Sequence, residues 1–300
     1  MRRRAWVLNG LVLLAAAHAT AGSIAGELPI PQRPRDAITG SQFARETDGW
    51  PDGERQRAAA SELARGNLPQ SLRQLVPVEL RNEPAAGDPI TATIWVMPDY
   101  LAIGRDDDFL YVPLSWPSAT AVASGFGCVV PTPKMVDAIY RQSQAHLEPQ
   151  PMPAGPQMRS VAYAERHQQM IDAQRSGIPL GLLIAGHKKD VVLTDRLFDR
   201  PDRVAIYGWH RLDGRPIQPL STVHGVRYAD YSHGVRLVWS QVRIQGAWRS
   251  IYDVLADPTF ARLLNYEGAI RDPRALMDPH RAAIAAESTP AFSQVAQTAH

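Results

Sequence analysis

Cysteine is almost absent from this chain: among 300 residues only Cys128 carries a thiol. A lone thiol excludes an internal disulfide, so core burial must hold the fold, and Cys128 is either a small buried hydrophobe or a reactive group. Excess charge is missing too. Lys and Arg number 32 against 30 Asp and Glu, a formal net charge of +2, which leaves no electrostatic footprint for nucleic acid. Beyond the N-terminal leader no apolar run is long enough to span a bilayer, which excludes a transmembrane segment from the mature chain. No His-x-x-x-His or similarly short ligand pair occurs, so histidine spacing carries no metal signature and no cofactor is expected. Internal repeats are lacking as well. With 45% hydrophobic and 21% charged residues, wholesale disorder is excluded.

What is present begins with an export signal. Arg2, Arg3 and Arg4 form a positive n-region, Ala5 to Ala17 an apolar stretch interrupted by Asn9 and Gly10, and Ala19 with Ala21 an A-x-A pattern. This predicts a Sec-type signal peptide over residues 1–21, cleaved near Ala21, and a mature protein in the periplasm or secreted. Residues 22–75, with Pro29, Pro31, Pro34 and Pro51, read as a proline-rich arm carrying a short helix from Ser61 to Leu75.

A single α+β domain is expected over residues 76–272, an antiparallel β-sheet with helices packed on one side. Alternation in Thr91 to Met97 predicts a strand, with further short strands at Tyr100 to Ile103 and Phe109 to Leu114. Asp106, Asp107 and Asp108 between them lack the spaced ligands of a calcium loop and read as a turn. Helices are predicted over Ser118 to Ser124, from Thr132-Pro133 onward, and over Ser160 to Arg175; strands follow between Leu180 and Gln245. Trp248 to Leu264 reads as a helix, and residues 273–300 as a polar, alanine-rich tail.

Ligand-capable residues crowd the span from Gly186 to Arg236. His187, His210, His224 and His233 occur there with Lys188, Lys189, Asp190, Trp209, Tyr228, Asp230, Tyr231 and Arg236. They fall in phrases joining strands to turns, where a rigid sheet can present groups to a cleft. Histidine suits proton transfer near neutral pH, and a cysteine ahead of a helix becomes nucleophilic when a base favours its thiolate. Cys128 with His187 or His233 as base and Asp230 as orienting carboxylate is therefore the candidate catalytic set. Lys188, Lys189, Trp209, His210, His224, Tyr228, Tyr231 and Arg236 are the candidate ligand-binding set.

The order Cys128, helix, Asp190-Val191-Val192-Leu193, then Arg203-Val204-Ala205-Ile206-Tyr207 with Gly214 and Ile217 after it resembles the NlpC/P60 branch of papain-like cysteine peptidases. Ser232-His233-Gly234-Val235 likewise resembles the His-Gly-Val strand of papain-like enzymes. The resemblance implies a cysteine hydrolase of amide bonds. Two departures stand against it: Arg203 occupies the position of that family's catalytic histidine, and Gly127-Cys128-Val129 differs from its Asp-Cys-Ser-Gly neighbourhood. Three functions follow as expectations: an exported cell-envelope hydrolase of amide or peptide bonds, with peptidoglycan as a substrate; a non-catalytic binder of saccharide or peptide through the 187–236 cluster; and a histidine-based metal-dependent hydrolase.

Overall fold

Alternation around Ile94 and Val96 produces a strand whose alternate residues Ala92, Ile94 and Val96 are buried, while Thr91, Thr93 and Trp95 face outward. The computed structural model describes residues 28–82 and 89–280. The expected leader lies outside the described residues, as does most of the expected tail.

Among the described residues, thirteen short strands follow one another: β1 (Val76–Asn82), β2 (Ile90–Val96), β3 (Ala102–Arg105), β4 (Asp108–Tyr111), β5 (Cys128–Val129), β6 (Ala145–His146), β7 (Ile184–Ala185), β8 (Lys189–Val191), β9 (Ile206–His210), β10 (Pro216–Ser221), β11 (His233–Gly234), β12 (Val238–Ile244) and β13 (Ala247–Ser250). The principal helices are α1 (Gly40–Thr47), α2 (Asp52–Ala64), α3 (Trp116–Gly125), α4 (Pro133–Gln142) and α5 (Val161–Arg175). The fold is α+β. No described helix is long and apolar enough to cross a membrane.

The strands form two main sheets rather than one. β1, β2, β12 and β13 lie side by side with β5 added to β12, all antiparallel. A second sheet runs β10-β9-β8-β11, in which only the β8–β11 pair is parallel. The short strands expected at Tyr100 to Ile103 and Phe109 to Leu114 do not extend the sheet of β2: β3 and β4 close a separate hairpin, while β2 pairs with β1 and β12. Asp106 and Asp108 in that hairpin accept from Ser71 and Ser41, so the acidic turn ties the N-terminal segment to the domain.

That segment is not an extended arm. Thr39 caps α1 in a reciprocal capping box with Gln42, and Phe43, Ala59, Leu63, Leu68 and Leu72 enter the main core. A methyl group at Gly40 would lie 2.3 Å from the Phe109 carbonyl carbon, so glycine is what lets α1 start against β4. The prolines punctuate these helices instead of extending the chain, and the predicted helix lies earlier, ending at Ala64. The tail also begins folded, since a short helix at Pro273–Leu276 buries Leu276 and Met277.

Two helices fall where their caps predict. Thr132 accepts from the Met135 amide at the start of α4, which buries Met135, Val136, Ile139 and Tyr140. Ser160 caps α5, whose inner face carries Val161, Ala164 and Ile171 but also His167 and Gln168. Trp248, by contrast, belongs to β13 and not to a helix. Gln245 and Gly246, at φ 48° and 86°, form the two-residue reversal that returns β13 onto β12.

Candidate active site

The second sheet positions the site. In register, His233 on β11 lies beside Lys189 on β8, and Lys189 lies opposite Gly208 on β9. The next residue, Trp209, has φ 56°. Two described non-glycine residues have positive φ. Gln245 is explained by its hairpin turn, whereas Trp209 sits inside a strand, where a bulky side chain in that region is strained. The strained backbone puts the indole in a small second core with Met152 and Tyr231, beneath the Lys189 ammonium at 4.9 Å. Tyr231 fastens a strap over it: the Met152 amide donates to Tyr231 Oη at 2.7 Å and the Tyr231 amide to Met158 O at 3.0 Å.

Several buried polar atoms here lack a partner. Among the described residues, His233 Nδ1 and Nε2, His167 Nε2 and Trp209 Nε1 make no hydrogen bond, although each such buried group costs about 1–3 kcal/mol when unsatisfied. The His167 ring lies 5.0 Å from Tyr231 and 6.3 Å from Trp209. The His233 ring lies 5.9 Å from His224 and 5.7 Å from Tyr228. His224 and Tyr228 stack at 4.3 Å and are half-buried, as is Lys189, so these three form the partly exposed rim of the cluster. The Arg159 guanidinium lies over Tyr228 at 5.5 Å.

Behind the rim, Asp230 accepts from the Ser232 amide at 2.8 Å, Ser232 Oγ at 2.6 Å and Tyr228 Oη at 2.9 Å. Burial raises the Asp230 carboxyl, but the hydrogen bonds from the Ser232 side chain and amide help hold it below its ordinary value. Burial pushes the His233 imidazole down despite Asp230, whose oxygen is 3.9 Å from Nε2. The pair is thus a carboxylate beside a neutral imidazole, one of whose nitrogens donates and the other accepts, neither of them engaged by a described protein group. Lys188, 2% exposed, donates to Tyr231 O at 2.7 Å and to His167 Nδ1 at 3.1 Å.

Other candidates are placed elsewhere. Cys128 lies in β5 opposite Trp239, 1% exposed, and its thiol donates to Phe126 O at 3.4 Å with no imidazole among its hydrogen-bond partners. Burial raises its pKa far above the ordinary thiol value. The expected Cys-His pair is therefore not formed. The capped helix α4 follows Cys128, but the strand bonding that orders the cysteine also closes it off from water. Arg203, at the position of the NlpC/P60 histidine, bonds Val223 O at the surface.

Arg236 cannot grip a ligand, because it is fully buried and donates to Met97 O and Ile184 O while stacking on Tyr100. His210 donates to Asp137 at 2.9 Å and stacks on Tyr140, which stacks in turn on His146. His187 donates to Asp99 at 3.1 Å. The same carboxylate takes Arg175 at 2.6 Å and Tyr111 at 2.5 Å. Burial alone would raise Asp99, yet His187, Arg175 and Arg236 hold it well below the usual carboxylate range. The four histidines thus occupy three neighbourhoods, of which only that of His224 and His233 reaches the rim. Among the described residues no three His, Cys, Asp or Glu side chains converge to hold a metal ion.

Sequence reasoning missed His167, Asp99, Tyr111, Arg159 and Met152. A signal for His167 did exist: it follows Val161 and Ala164 at helical spacing and so falls on the inner stripe of α5. No family model matches this chain, and no curated protein or solved structure matches it either.

Proposed function

We propose that this is an exported protein that binds a saccharide or peptide of the cell envelope in the pocket framed by Trp209, Tyr231, His233, His224 and Tyr228. The supporting observation is the strained Trp209 backbone beside buried ring nitrogens that have no protein partner. Proteins keep strain and unsatisfied polar groups where a ligand repays them. Aromatic faces with Lys189 and Arg159 at the rim suit a sugar ring or peptide bearing a carboxylate.

The Asp230 and His233 pair supports a second reading, hydrolysis of an amide or glycosidic bond of the same ligand by proton transfer without a cysteine nucleophile. Co-sedimentation with purified peptidoglycan tests both. Wild type and Cys128→Ala pellet with the polymer, whereas His233→Ala remains in the supernatant with an unchanged circular dichroism spectrum. Release of soluble amines or reducing ends by wild type, lost in Asp230→Asn, selects the hydrolase. Equal pelleting of His233→Ala overturns the site, and loss of pelleting in Cys128→Ala restores the thiol to it.

A further inference from the structure

Cations gather along the outer edge of the five-stranded sheet. Glu79, Leu80 and Arg81 of β1 and Lys134, Arg141 and Gln142 of α4 line a groove of about 430 Å³ that opens to solvent, a volume within the range of small-ligand sites. Its walls are fixed. Gln142 closes the strand edge, accepting from the Glu79 amide at 2.9 Å and donating to the Glu79 carbonyl at 2.8 Å, so no further strand pairs at that position. Lys134 Nζ donates to the backbone carbonyls of Arg81 and Arg262, which pins the ammonium between β1 and the short helix Ala261–Leu264.

The charge of the groove is uncompensated. Three residues after Lys134 and four before Arg141 on α4, Asp137 has the spacing of an ion-pair partner for both. Its Oδ1 instead accepts from Tyr207 and His210, and its Oδ2 from Tyr266. Glu79 meets only Arg81, at 3.8 Å and on the exposed surface, a contact of little strength. Lys134, Arg141 and Arg262 are left without an ion pair among the described residues. Burial, then the charges of Arg141 and Arg262, lower the Lys134 ammonium from its ordinary value.

We propose that this groove binds a small phosphate-bearing ligand, its phosphate held between Arg81, Lys134 and Arg141. Two guanidinium forks and a pinned ammonium match the several oxygens and multiple charge of a phosphate better than the single charge of a carboxylate. Glu79, the one acid of the lining, accepts from a hydroxyl on the body of the ligand. The site shares no residue with the Trp209 cluster and does not depend on it.

Calorimetric titration of the whole chain with inorganic pyrophosphate tests this. Saturable binding is expected with a Kd below about 1 mM at physiological salt. Arg81→Gln and Arg141→Gln, both at exposed positions, are each expected to weaken it by roughly tenfold with unchanged circular dichroism spectra. Vesicles distinguish the source of the phosphate. Displacement of pyrophosphate by phosphatidylglycerol vesicles, over phosphatidylcholine controls, assigns it to a lipid headgroup, and its absence assigns it to a soluble ester. No saturable binding at millimolar pyrophosphate, wild-type affinity in the double variant of Arg81→Gln and Arg141→Gln, or acetate bound as tightly as pyrophosphate overturns the proposal.

Discussion

A tryptophan at φ 56° is the residue on which the site turns. A left-handed backbone costs about 1–3 kcal/mol for such a side chain, and glycine adopts it freely. Truncating Trp209 removes a buried ring, at roughly 3–5 kcal/mol. Trp209→Gly is nonetheless expected to be more stable than Trp209→Ala, by about 1 kcal/mol, although glycine is ordinarily the worse strand residue. Urea denaturation of the two variants checks this; the opposite order would mean that the strand relaxes without strain. The residues proposed to bind the ligand were legible in the 187–236 cluster because the sequence concentrates them. What the sequence could not show was their direction. Arg236 and Tyr231 both look like surface binders, yet one is spent on the Met97 and Ile184 carbonyls and the other pins the Met152 strap.

The parallel pairing of β8 with β11 is what brings His233 to Lys189 and Tyr231 to Lys188. Gly234 permits it, since a methyl group there would lie 2.6 Å from Tyr100 Cδ1 and 2.8 Å from Lys188 Cβ. Gly234→Ala is expected to cost about 1–3 kcal/mol through overpacking and to abolish peptidoglycan pelleting. Unaltered melting and binding would show that β11 is free to shift. Caps made α4 and α5 readable, because Thr132-Pro133 and Ser160 state a helix start in local chemistry. The pairing of β8 with β11 was not readable, since two-residue strands carry no period and their register is set by distant partners. Proline content misled at residues 28–75 for the same reason: local stiffness says nothing of Phe43 and Leu63 finding a shared core.

Across the whole molecule, the interior is charged as well as apolar. Asp99, Asp190, Lys188 and Arg236 are all buried, and such groups persist only when paired or put to use. Asp190 accepts from Tyr100 at 2.9 Å, and burial raises its carboxyl to about 6 in spite of Arg236. A carboxyl whose folded pKa is raised adds stability below its unfolded value, and that stability is lost as pH rises through about 6. Asp190→Asn should therefore gain on wild type by roughly 1–3 kcal/mol between pH 4 and pH 8. Urea melts at both pH values check the sign, and a difference independent of pH would mean that Asp190 stays ionised throughout.

The central claim is that His167, His224 and His233 border one ligand pocket while His146 and His210 serve the fold. Imidazole NMR spectra of histidine-labelled protein, titrated with soluble peptidoglycan fragments, test it most directly. The resonances of His167, His224 and His233 are expected to shift together on one binding curve, with those of His146 and His210 unmoved. Shifts confined to His146 and His210, or none at all under saturating fragments, would contradict it.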